Sequence, residues 1–249
     1  MSRMRFMNIS IDNVTMDEAL EKISYLVENT KQSYIVTPNV DHIVKLEKDK
    51  ELLKIYMDAT LILTDGQPLL WISKFYKTPI KEKVSGSDLF PKVCELAAEK
   101  GYTIFLLGAG EGVADIAAKK LSEKNKGLNI VGTYSPELGF ENNPTEVARI
   151  QELIKSKSPD ILVVGLGSPK QEKFIHKNKE ELNVSLSICI GAGIDFEAGV
   201  VKRAPKWMRR CGLEWFFRLC KEPKRMFKRY IIDDLKIIGL IWKYKKRSN

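Results

Sequence analysis

Short apolar runs alternate along the chain with longer segments in which apolar residues recur at every third or fourth position. Such runs, with little alternation of apolar and polar residues, are typical of strands buried on both faces of a sheet. They predict strands over residues 34–37, 61–64, 103–107, 129–131, 160–164 and 185–190. Helices are predicted over residues 16–27, 40–50, 68–75, 88–99, 113–121, 144–155 and after 168. This order predicts an α/β fold: a Rossmann-like, mostly parallel sheet with right-handed crossovers and helices on both faces.

The character of the chain changes after Val201. Residues 202–249 hold 16 Lys and Arg against four Asp and Glu, whereas residues 1–201 hold 25 against 28. The net charge of +9 therefore comes wholly from the C-terminal part. Helices are predicted there over residues 212–221 and 223–243, separated at Pro223. We divide the chain into an α/β domain, residues 1–201, and a basic, amphipathic helical appendage, residues 202–249.

Charge and composition narrow the classes of partner and compartment. A basic appendage favours an anionic partner, which can be a membrane surface, a diphosphate or a nucleic acid. No apolar run reaches ~18 residues, so we expect no transmembrane helix. The four cysteines form no CxxC pair, and the first residues show no signal-peptide pattern. Both observations favour a reduced, cytoplasmic location.

Polar residues stand where several predicted strands end. Thr37 and Asn39 lie at the end of strand 34–37, and Asp65 follows strand 61–64. Carboxyl ends of parallel strands meet at one edge of the sheet, so these side chains are expected to line one crevice. After strand 160–164, a glycine-rich turn opens a helix, where backbone N–H groups can hold a phosphate. A capping box that merely starts the helix explains the same residues equally well.

Five motifs occur in an order that resembles the WecG/TagA/CpsF family, glycosyltransferase family 26. The motifs are Thr37-Pro-Asn39, Thr64-Asp-Gly66, Gly167-Ser-Pro-Lys-Gln-Glu172, Lys202-Arg-Ala-Pro205 and Gly212-Leu-Glu-Trp215. The resemblance extends from about Ile9 to about Tyr230. It implies a metal-independent, inverting glycosyltransferase that transfers N-acetylmannosamine or another hexose from a UDP-sugar. The implied acceptor is a polyprenyl-diphosphate-linked N-acetylglucosamine at the cytoplasmic membrane face, in teichoic acid, capsule or exopolysaccharide synthesis.

The resemblance assigns Asp65 the role of catalytic base, which takes the proton from the attacking hydroxyl. On the residues alone, a helix start is the stronger interpretation, with Thr64 and Gln67 as a capping box and Asp65 complementing the helix dipole. Thr37 and Asn39 are expected to line the active-site pocket, although Asn39 also suits the start of the following helix.

Gln171 and Lys83 each have two interpretations. Gln171 contacts substrate if the resemblance holds, and otherwise completes a capping box with Ser168. Lys83 stands where the family has arginine. It keeps the charge for a diphosphate but not the planar guanidinium, and it could equally be a solvated surface lysine.

Glycines at two further strand ends suggest close approach of the backbone to a donor. Gly108 and Gly110 follow strand 103–107 in a GxGxG spacing, which is a weak match to a dinucleotide-binding turn. Gly191 and Asp195 follow strand 185–190 and, with Gly167, are expected at the same crevice. The GxGxG turn is the only feature that would support an interpretation as an NAD-dependent oxidoreductase.

No metal or cofactor is predicted. Asp233 and Asp234 are adjacent and do not form an Asp-x-Asp pair, and His42 and His176 lack partners at ligand spacing. The charge of the leaving UDP must then be stabilised by helix dipoles and by Arg or Lys. The resemblance implies that three arginines of the appendage meet the phosphates: Arg203, Arg218 and Arg225.

The expected partners follow from the appendage. Its aromatic residues and dense Lys and Arg suit an interfacial helix on anionic lipid, with about 1 kcal/mol from each nearby basic residue. The aromatic group expected to face the membrane is Trp215, Phe216, Phe217, Trp242 and Tyr244. We therefore expect an enzyme peripherally bound to the inner face of the cell membrane and no nucleic-acid partner. The alternative is a basic-tailed nucleic-acid or nucleotide-binding module without transferase activity. The sequence leaves the donor sugar open, and it leaves room for a homo-oligomer.

Overall fold

A computed structural model describes residues 3–246 of the chain, except for the side chains of residues 210, 225, 231 and 232. Six parallel strands form the central sheet in the order β4-β3-β8-β7-β5-β6. A hairpin of two antiparallel strands precedes them. The strands are β1 (Arg3–Phe6), β2 (Ile9–Asp12), β3 (Ser33–Val36), β4 (Leu61–Ile62), β5 (Thr103–Gly108), β6 (Asn129–Tyr134), β7 (Ile161–Gly165) and β8 (Leu186–Cys189).

Nine α-helices, counted over the described residues of the α/β domain, cover both faces of this sheet. They are α1 (Met16–Asn29), α2 (Val40–Leu46), α3 (Lys50–Asp58), α4 (Gln67–Phe75), α5 (Gly86–Lys100), α6 (Val113–Lys124), α7 (Pro144–Lys157), α8 (Lys170–Leu182) and α9 (Gly193–Ala198). The hairpin with α2, α3, α4, α7 and α8 shares one apolar core, and α1, α5, α6 and α9 share the other.

The two cores explain the continuous apolar runs. Along β5, Phe105 and Leu107 point into one core, whereas Ile104 and Leu106 point into the other. Successive side chains of a strand face opposite sides, so a strand buried on both faces is apolar at every position. The predicted fold class, a Rossmann-like parallel sheet with helices on both faces and further C-terminal helices, is confirmed.

Several elements were not predicted or were predicted with wrong ends. The hairpin β1–β2 was missed, although Phe6, Ile9 and Ile11 are buried in the core. The single helix predicted over residues 40–50 is wrong, because two helices occupy this region: α2 ends at Leu46, and α3 begins at Lys50. The Asp49 side chain accepts from the backbone N–H of Leu52 and so caps this second, unpredicted helix.

The appendage folds as a series of short helices. They are α10 (Lys206–Arg210), α11 (Glu214–Lys221), α12 (Pro223–Phe227) and α13 (Ile237–Lys245), with a π-helical segment, Lys228–Asp233, and a 3₁₀ turn, Asp234–Lys236. The helix predicted over residues 223–243 corresponds to an unbroken helical run from Pro223 to Lys245, but the π-helical segment and the 3₁₀ turn interrupt its α-helical geometry.

The last helix of the appendage lies on the α/β domain. The side chains of Lys243 and Tyr244 both donate to the carboxylate of Glu47, the residue that ends α2. The Tyr76 hydroxyl donates to the backbone oxygen of Ile241 at 2.9 Å. Tyr244 is buried by this contact, so the expectation that it joins a membrane-facing aromatic group is wrong. No helix in the described part of the chain is long and apolar enough to cross a membrane.

Candidate active site

The ends of β3 and β4 bring three of the predicted site residues together. The N–H of Asp65 donates to the backbone oxygen of Pro38 at 2.8 Å, so the hydrogen bonding between these strands continues past their ends. Asp65 is thereby held beside the turn that carries Thr37 and Asn39. A Cβ placed on Gly66 would lie only 3.9 Å from the Cβ of Asn39. These residues are therefore neighbours at the carboxyl edge of the sheet.

Asp65 is not part of a helix cap. Helix α4 begins two residues later, after Gly66 at φ +103°, and no described side chain caps it. The alternative capping box of Thr64 and Gln67 is therefore wrong. A positive φ at Gly66 favours glycine there and turns the chain before the helix starts.

The electrostatic surroundings of Asp65 suit a group that accepts a proton. Burial raises the pKa of its carboxyl above the ordinary value. The positive charges of Lys83 and Arg218 oppose that rise, and the negative charges of Glu214 and Asp88 add to it. A raised pKa brings a carboxylate closer to the working pH, which is what a general base requires.

Thr37 and Asn39 are fixed by hydrogen bonds to neighbouring elements. The buried Thr37 hydroxyl donates to the backbone oxygen of Cys189 at 3.2 Å, which joins the ends of β3 and β8. The Asn39 side chain accepts from the backbone N–H of His42 at 3.3 Å and so caps α2. The same Oδ1 lies 3.4 Å from the guanidinium of Arg229 in the appendage. Capping and a position in the crevice are thus compatible for Asn39.

Asp88, in the first turn of α5, forms ion pairs with cations of both the α/β domain and the appendage. One carboxylate oxygen accepts from Lys83 at 2.8 Å, and the other from Arg203 at 2.7 Å and Arg209 at 3.0 Å. Burial alone would raise the pKa of Asp88, but Lys83 and Arg203 outweigh it and hold that pKa well below its usual range. Lys83 is an ion-paired, largely buried residue, so its interpretation as a solvated surface lysine is wrong.

Two further residues of the appendage complete this cluster. The guanidinium groups of Arg203 and Arg218 lie 5.4 and 5.1 Å from the centre of the Phe196 ring. Glu214 lies within 3.6 Å of Arg203 and 3.9 Å of Arg218. Glu214 therefore partly balances both arginines, and the positive charge of Arg218 acts on Asp65. The side chain of Arg225 lies outside the described part of the structure.

Glycines form the floor of the crevice where three strands end. A Cβ on Gly108 would lie 2.5 Å from the backbone oxygen of Gly165, and a Cβ on Gly165 would lie 2.9 Å from that of Gly191. No side chain fits at Gly108 or Gly165 without movement of the backbone. The predicted glycines Gly110 and Gly167 lie in the turns just beyond.

A cleft of about 810 Å³ opens between the ends of β5, β6 and β7. Helix α6 leaves β5 toward one core, and α8 leaves the neighbouring β7 toward the other. Such a reversal creates the crevice in which open α/β sheets bind ligands. The cleft is lined by Gly110, by Lys170 and by residues 133–138, which are the end of β6 and the loop after it.

Gln171 does not cap α8. Its side-chain oxygen accepts from the N–H of Gly191 at 3.2 Å, and its amide donates to Glu172 at 2.9 Å. With both polar atoms occupied in this way, the capping box with Ser168 is wrong. Gln171 is 1% exposed, so it supports the crevice from below.

The remaining predictions concern Asp195 and metal ions. Asp195 lies half-buried in the first turn of α9, just after the turn at Gly191. Within residues 3–246, no group of three His, Cys, Asp or Glu side chains could hold a metal ion.

Sequence reasoning missed four charged residues that the fold brings to the site: Asp88, Arg209, Glu214 and Arg229. Asp88 stands three residues after Ser85, which caps α5, so its local pattern reads as an ordinary helix start. The two arginines are two of 16 basic residues in the appendage, and nothing local distinguishes them.

Comparison with known proteins identifies the family of the chain. The family model described as "Glycosyl transferase WecG/TagA/CpsF family" matches residues 4–249. A Bacillus subtilis (strain 168) protein is 33% identical over 206 residues, covering 83% of this chain and 77% of its own length. A Bacillus spizizenii protein is 30% identical over 225 residues, with 90% and 84% coverage. A Staphylococcus aureus (strain MW2) protein is 26% identical over 227 residues, with 90% and 87% coverage.

All three relatives carry the same name, N-acetylglucosaminyldiphosphoundecaprenol N-acetyl-beta-D-mannosaminyltransferase. The family match spans nearly the whole chain, including the appendage whose basic residues meet Asp88. The chain belongs to the WecG/TagA/CpsF family of glycosyltransferases.

Proposed function

We propose that this enzyme transfers N-acetylmannosamine, or a closely related hexose, from a UDP-sugar to a polyprenyl-diphosphate-linked N-acetylglucosamine. The observation that carries the proposal is the half-buried Asp65, with a raised pKa, beside a cluster of Lys and Arg at the carboxyl edge of the sheet. That pairing of a base with nearby cations matches a transfer in which a hydroxyl loses a proton and a diphosphate leaves. The printed names of the relatives supply the sugars.

The donor fits along the edge of the sheet. In this proposal its nucleotide occupies the cleft between β5 and β7, where backbone and helix N-termini face the ligand. Three strand spacings separate β7 from β4, roughly 14 Å. An extended nucleoside-diphosphate sugar can span that distance and reach Asp65. Gly108, Gly110, Gly167, Gly191 and Asp195 would then lie along the donor.

The transfer is a single displacement with inversion. Asp65 accepts the proton of the acceptor hydroxyl while its oxygen forms a bond to the anomeric carbon. The bond from that carbon to the diphosphate breaks, and UDP leaves with the electron pair. Lys83, Arg203 and Arg218 offset the charge that develops on the diphosphate, so the reaction proceeds without a metal. Thr37 and Asn39 hold the reacting groups in place, and Gln171 supports the site from beneath through the N–H of Gly191.

Membrane association would bring the enzyme to its lipid-linked acceptor. Trp71 and Phe75 on α4 are 51% and 45% exposed, and Trp242 of the appendage, 58% exposed, lies 6.2 Å from Phe75 ring to ring. Lys245 lies over the Phe75 ring at 3.9 Å. Aromatic side chains with a basic fringe suit the interface of an anionic membrane. The proposed contact surface thus joins the α/β domain to the appendage.

The transferase proposal is tested with a short-chain polyprenyl-diphosphate N-acetylglucosamine acceptor, a panel of UDP-sugars and EDTA, with products read by mass spectrometry. A disaccharide product from one donor is expected. Replacing Asp65 with Asn should lower turnover at least about 100-fold, because the amide cannot accept the proton, while the circular dichroism spectrum stays unchanged. Near-normal turnover by this variant would remove Asp65 as the base, and no product from any donor would contradict the reaction class.

The membrane proposal is tested by sedimentation with vesicles of phosphatidylcholine, with and without phosphatidylglycerol. The double replacement Trp71→Ser and Trp242→Ser should reduce binding to the anionic vesicles. The matched control is Tyr25→Ser, since Tyr25 is 61% exposed on α1, a helix that belongs to the other core. Equal binding by the double variant and the control would show that the aromatic surface does not meet the membrane.

A further inference from the structure

A chain of buried polar side chains runs beneath the candidate active site. Tyr56 on α3 lies between His42 on α2 and Glu172 on α8, at 3.1 Å from the His42 Nδ1 and 3.5 Å from a Glu172 oxygen. Gln171 donates to that same Glu172 oxygen, and its own oxygen accepts from Gly191. Exposure of these four side chains does not exceed 6%. Burying so many polar groups is costly unless each is hydrogen-bonded.

Each hydrogen bond in this chain of side chains has one donor and one acceptor that can be assigned. The Tyr56 hydroxyl has one proton and donates it to Glu172, so it can only accept from His42. His42 therefore carries its proton on Nδ1, and burial lowers its pKa, which favours the neutral ring. At the other end, Glu172 accepts the amide N–H of Gln171, which leaves the amide oxygen of Gln171 to accept from Gly191.

Glu172 determines which way these hydrogen bonds run, because it accepts from both Tyr56 and Gln171. Without its carboxylate, the Gln171 side chain could rotate by half a turn and present its NH₂ group to the N–H of Gly191. Two donors would then face each other at the end of β8, where the turn to Gly193 begins. The second oxygen of Glu172 is buried and has no hydrogen-bond partner within the described residues, so no other contact explains the carboxylate.

This chain of buried polar side chains also reaches Asn39, at the β3 side of the site. The backbone N–H of His42 donates to Asn39, whereas the His42 ring contacts Tyr56. Asn39 and Gln171, which come from different halves of the domain, are thus joined through three buried side chains. Displacement of any one of these would move a group at the carboxyl edge of the sheet on which Asp65 lies.

We propose that Glu172, with Tyr56 and His42, is a positioning residue of the transferase, which holds Gln171, the Gly191 turn and Asn39 in the geometry of the reaction. This inference rests on the proposed function for its catalytic consequence. None of the three residues needs to contact either substrate. Misplacement of reacting groups by about 1 Å can lower a rate by about 100-fold.

The experiment compares three variants of the full chain. Glu172→Leu removes both acceptors, Glu172→Gln keeps one oxygen that can accept from Tyr56 and Gln171, and Asn178→Leu is the matched control. Asn178 is buried on the same helix and hydrogen-bonded to Gln151 and to the backbone oxygen of Phe174, away from the crevice. Turnover is measured per folded molecule, with the folded fraction taken from circular dichroism.

We expect kcat to fall about 10- to 100-fold in Glu172→Leu, and to stay within about threefold of the wild type in Glu172→Gln and in Asn178→Leu. A merely structural role predicts the opposite: equal kcat per folded molecule in all variants, or equal losses in Glu172→Leu and Asn178→Leu. Either of these results overturns the proposal.

A second measurement does not depend on turnover. Amide hydrogen exchange, followed by mass spectrometry of peptides that contain Gly191, should be about tenfold faster in Glu172→Leu than in the wild type, and unchanged in Glu172→Gln. If the wild type transfers no sugar, the proposed function fails, and this measurement decides alone. Unchanged exchange in Glu172→Leu then overturns the positioning role, and faster exchange supports it.

Discussion

Replacement of Asp88 by Asn tests whether the appendage is held to the α/β domain by charge. The carboxylate contacts Lys83, Arg203 and Arg209, and all four side chains are 17–24% exposed. The Asn side chain keeps the shape but leaves three positive charges facing a neutral group.

The magnitude follows from the burial of this cluster. Removing one partner of a buried ion pair costs about 3–5 kcal/mol, and the residual exposure of Asp88 favours the lower end. We therefore expect a loss of about 3 kcal/mol in the free energy of unfolding. For a chain of this size the melting temperature should fall by roughly 6–12 °C. Calorimetry gives both quantities.

Asp17→Asn is the matched control. Asp17 is an exposed acid in the first turn of α1, so its replacement loses only the interaction with the helix dipole, about 0.3–1 kcal/mol. Asp88→Asn should also accelerate trypsin cleavage between residues 202 and 211, because Arg203 and Arg209 lose their common anchor. If both variants lose the same stability, and cleavage is unchanged, the cluster at Asp88 does not hold the appendage.

Three further predictions concern the floor, the end of the appendage and the base. Gly108→Ala should destabilise the protein by about 3 kcal/mol or more, whereas Gly101→Ala, also at positive φ but with no atom near its Cβ, should cost about 1 kcal/mol by thermal melting. Glu47→Gln weakens the anchor of Tyr244, so limited proteolysis should release α13 faster, with unchanged cleavage contradicting this docking. Since burial raises the pKa of Asp65 and the base must be ionised, kcat/KM should rise with pH through that raised pKa; a profile flat between pH 4 and 8 would count against the role.

The local pattern of apolar residues was enough to predict the central sheet, but not the hairpin β1–β2 or the break between α2 and α3. The strands β5 and β7 are apolar at nearly every position because both cores use them, and the sequence carries that signal directly. The hairpin β1–β2 has four residues in each strand, too few for a clear period. The break between α2 and α3 depends on the Asp49 cap, which a continuous helical period hides.

The site was predictable where the chain places a residue just after a strand. Thr37, Asn39 and Asp65 follow β3 and β4, so the rule for parallel sheets puts them together without any three-dimensional information. Asp88 and Arg209 meet at 3.0 Å across 121 positions of sequence. Their encounter depends on how the appendage folds back, and that depends on tertiary contacts rather than on local preference. The same holds for Gln171, whose partners in the fold displaced the local capping box.

The glycine floor restricts how this enzyme can change during evolution. Gly108 and Gly165 leave space for main chain only, so no substitution at these two positions can add a new recognising side chain. Adaptation to another sugar or nucleotide must come from the rim instead, in residues 133–138 and in the appendage. Related enzymes with different donors are thus expected to share an invariant base of the crevice and to diverge along its margin.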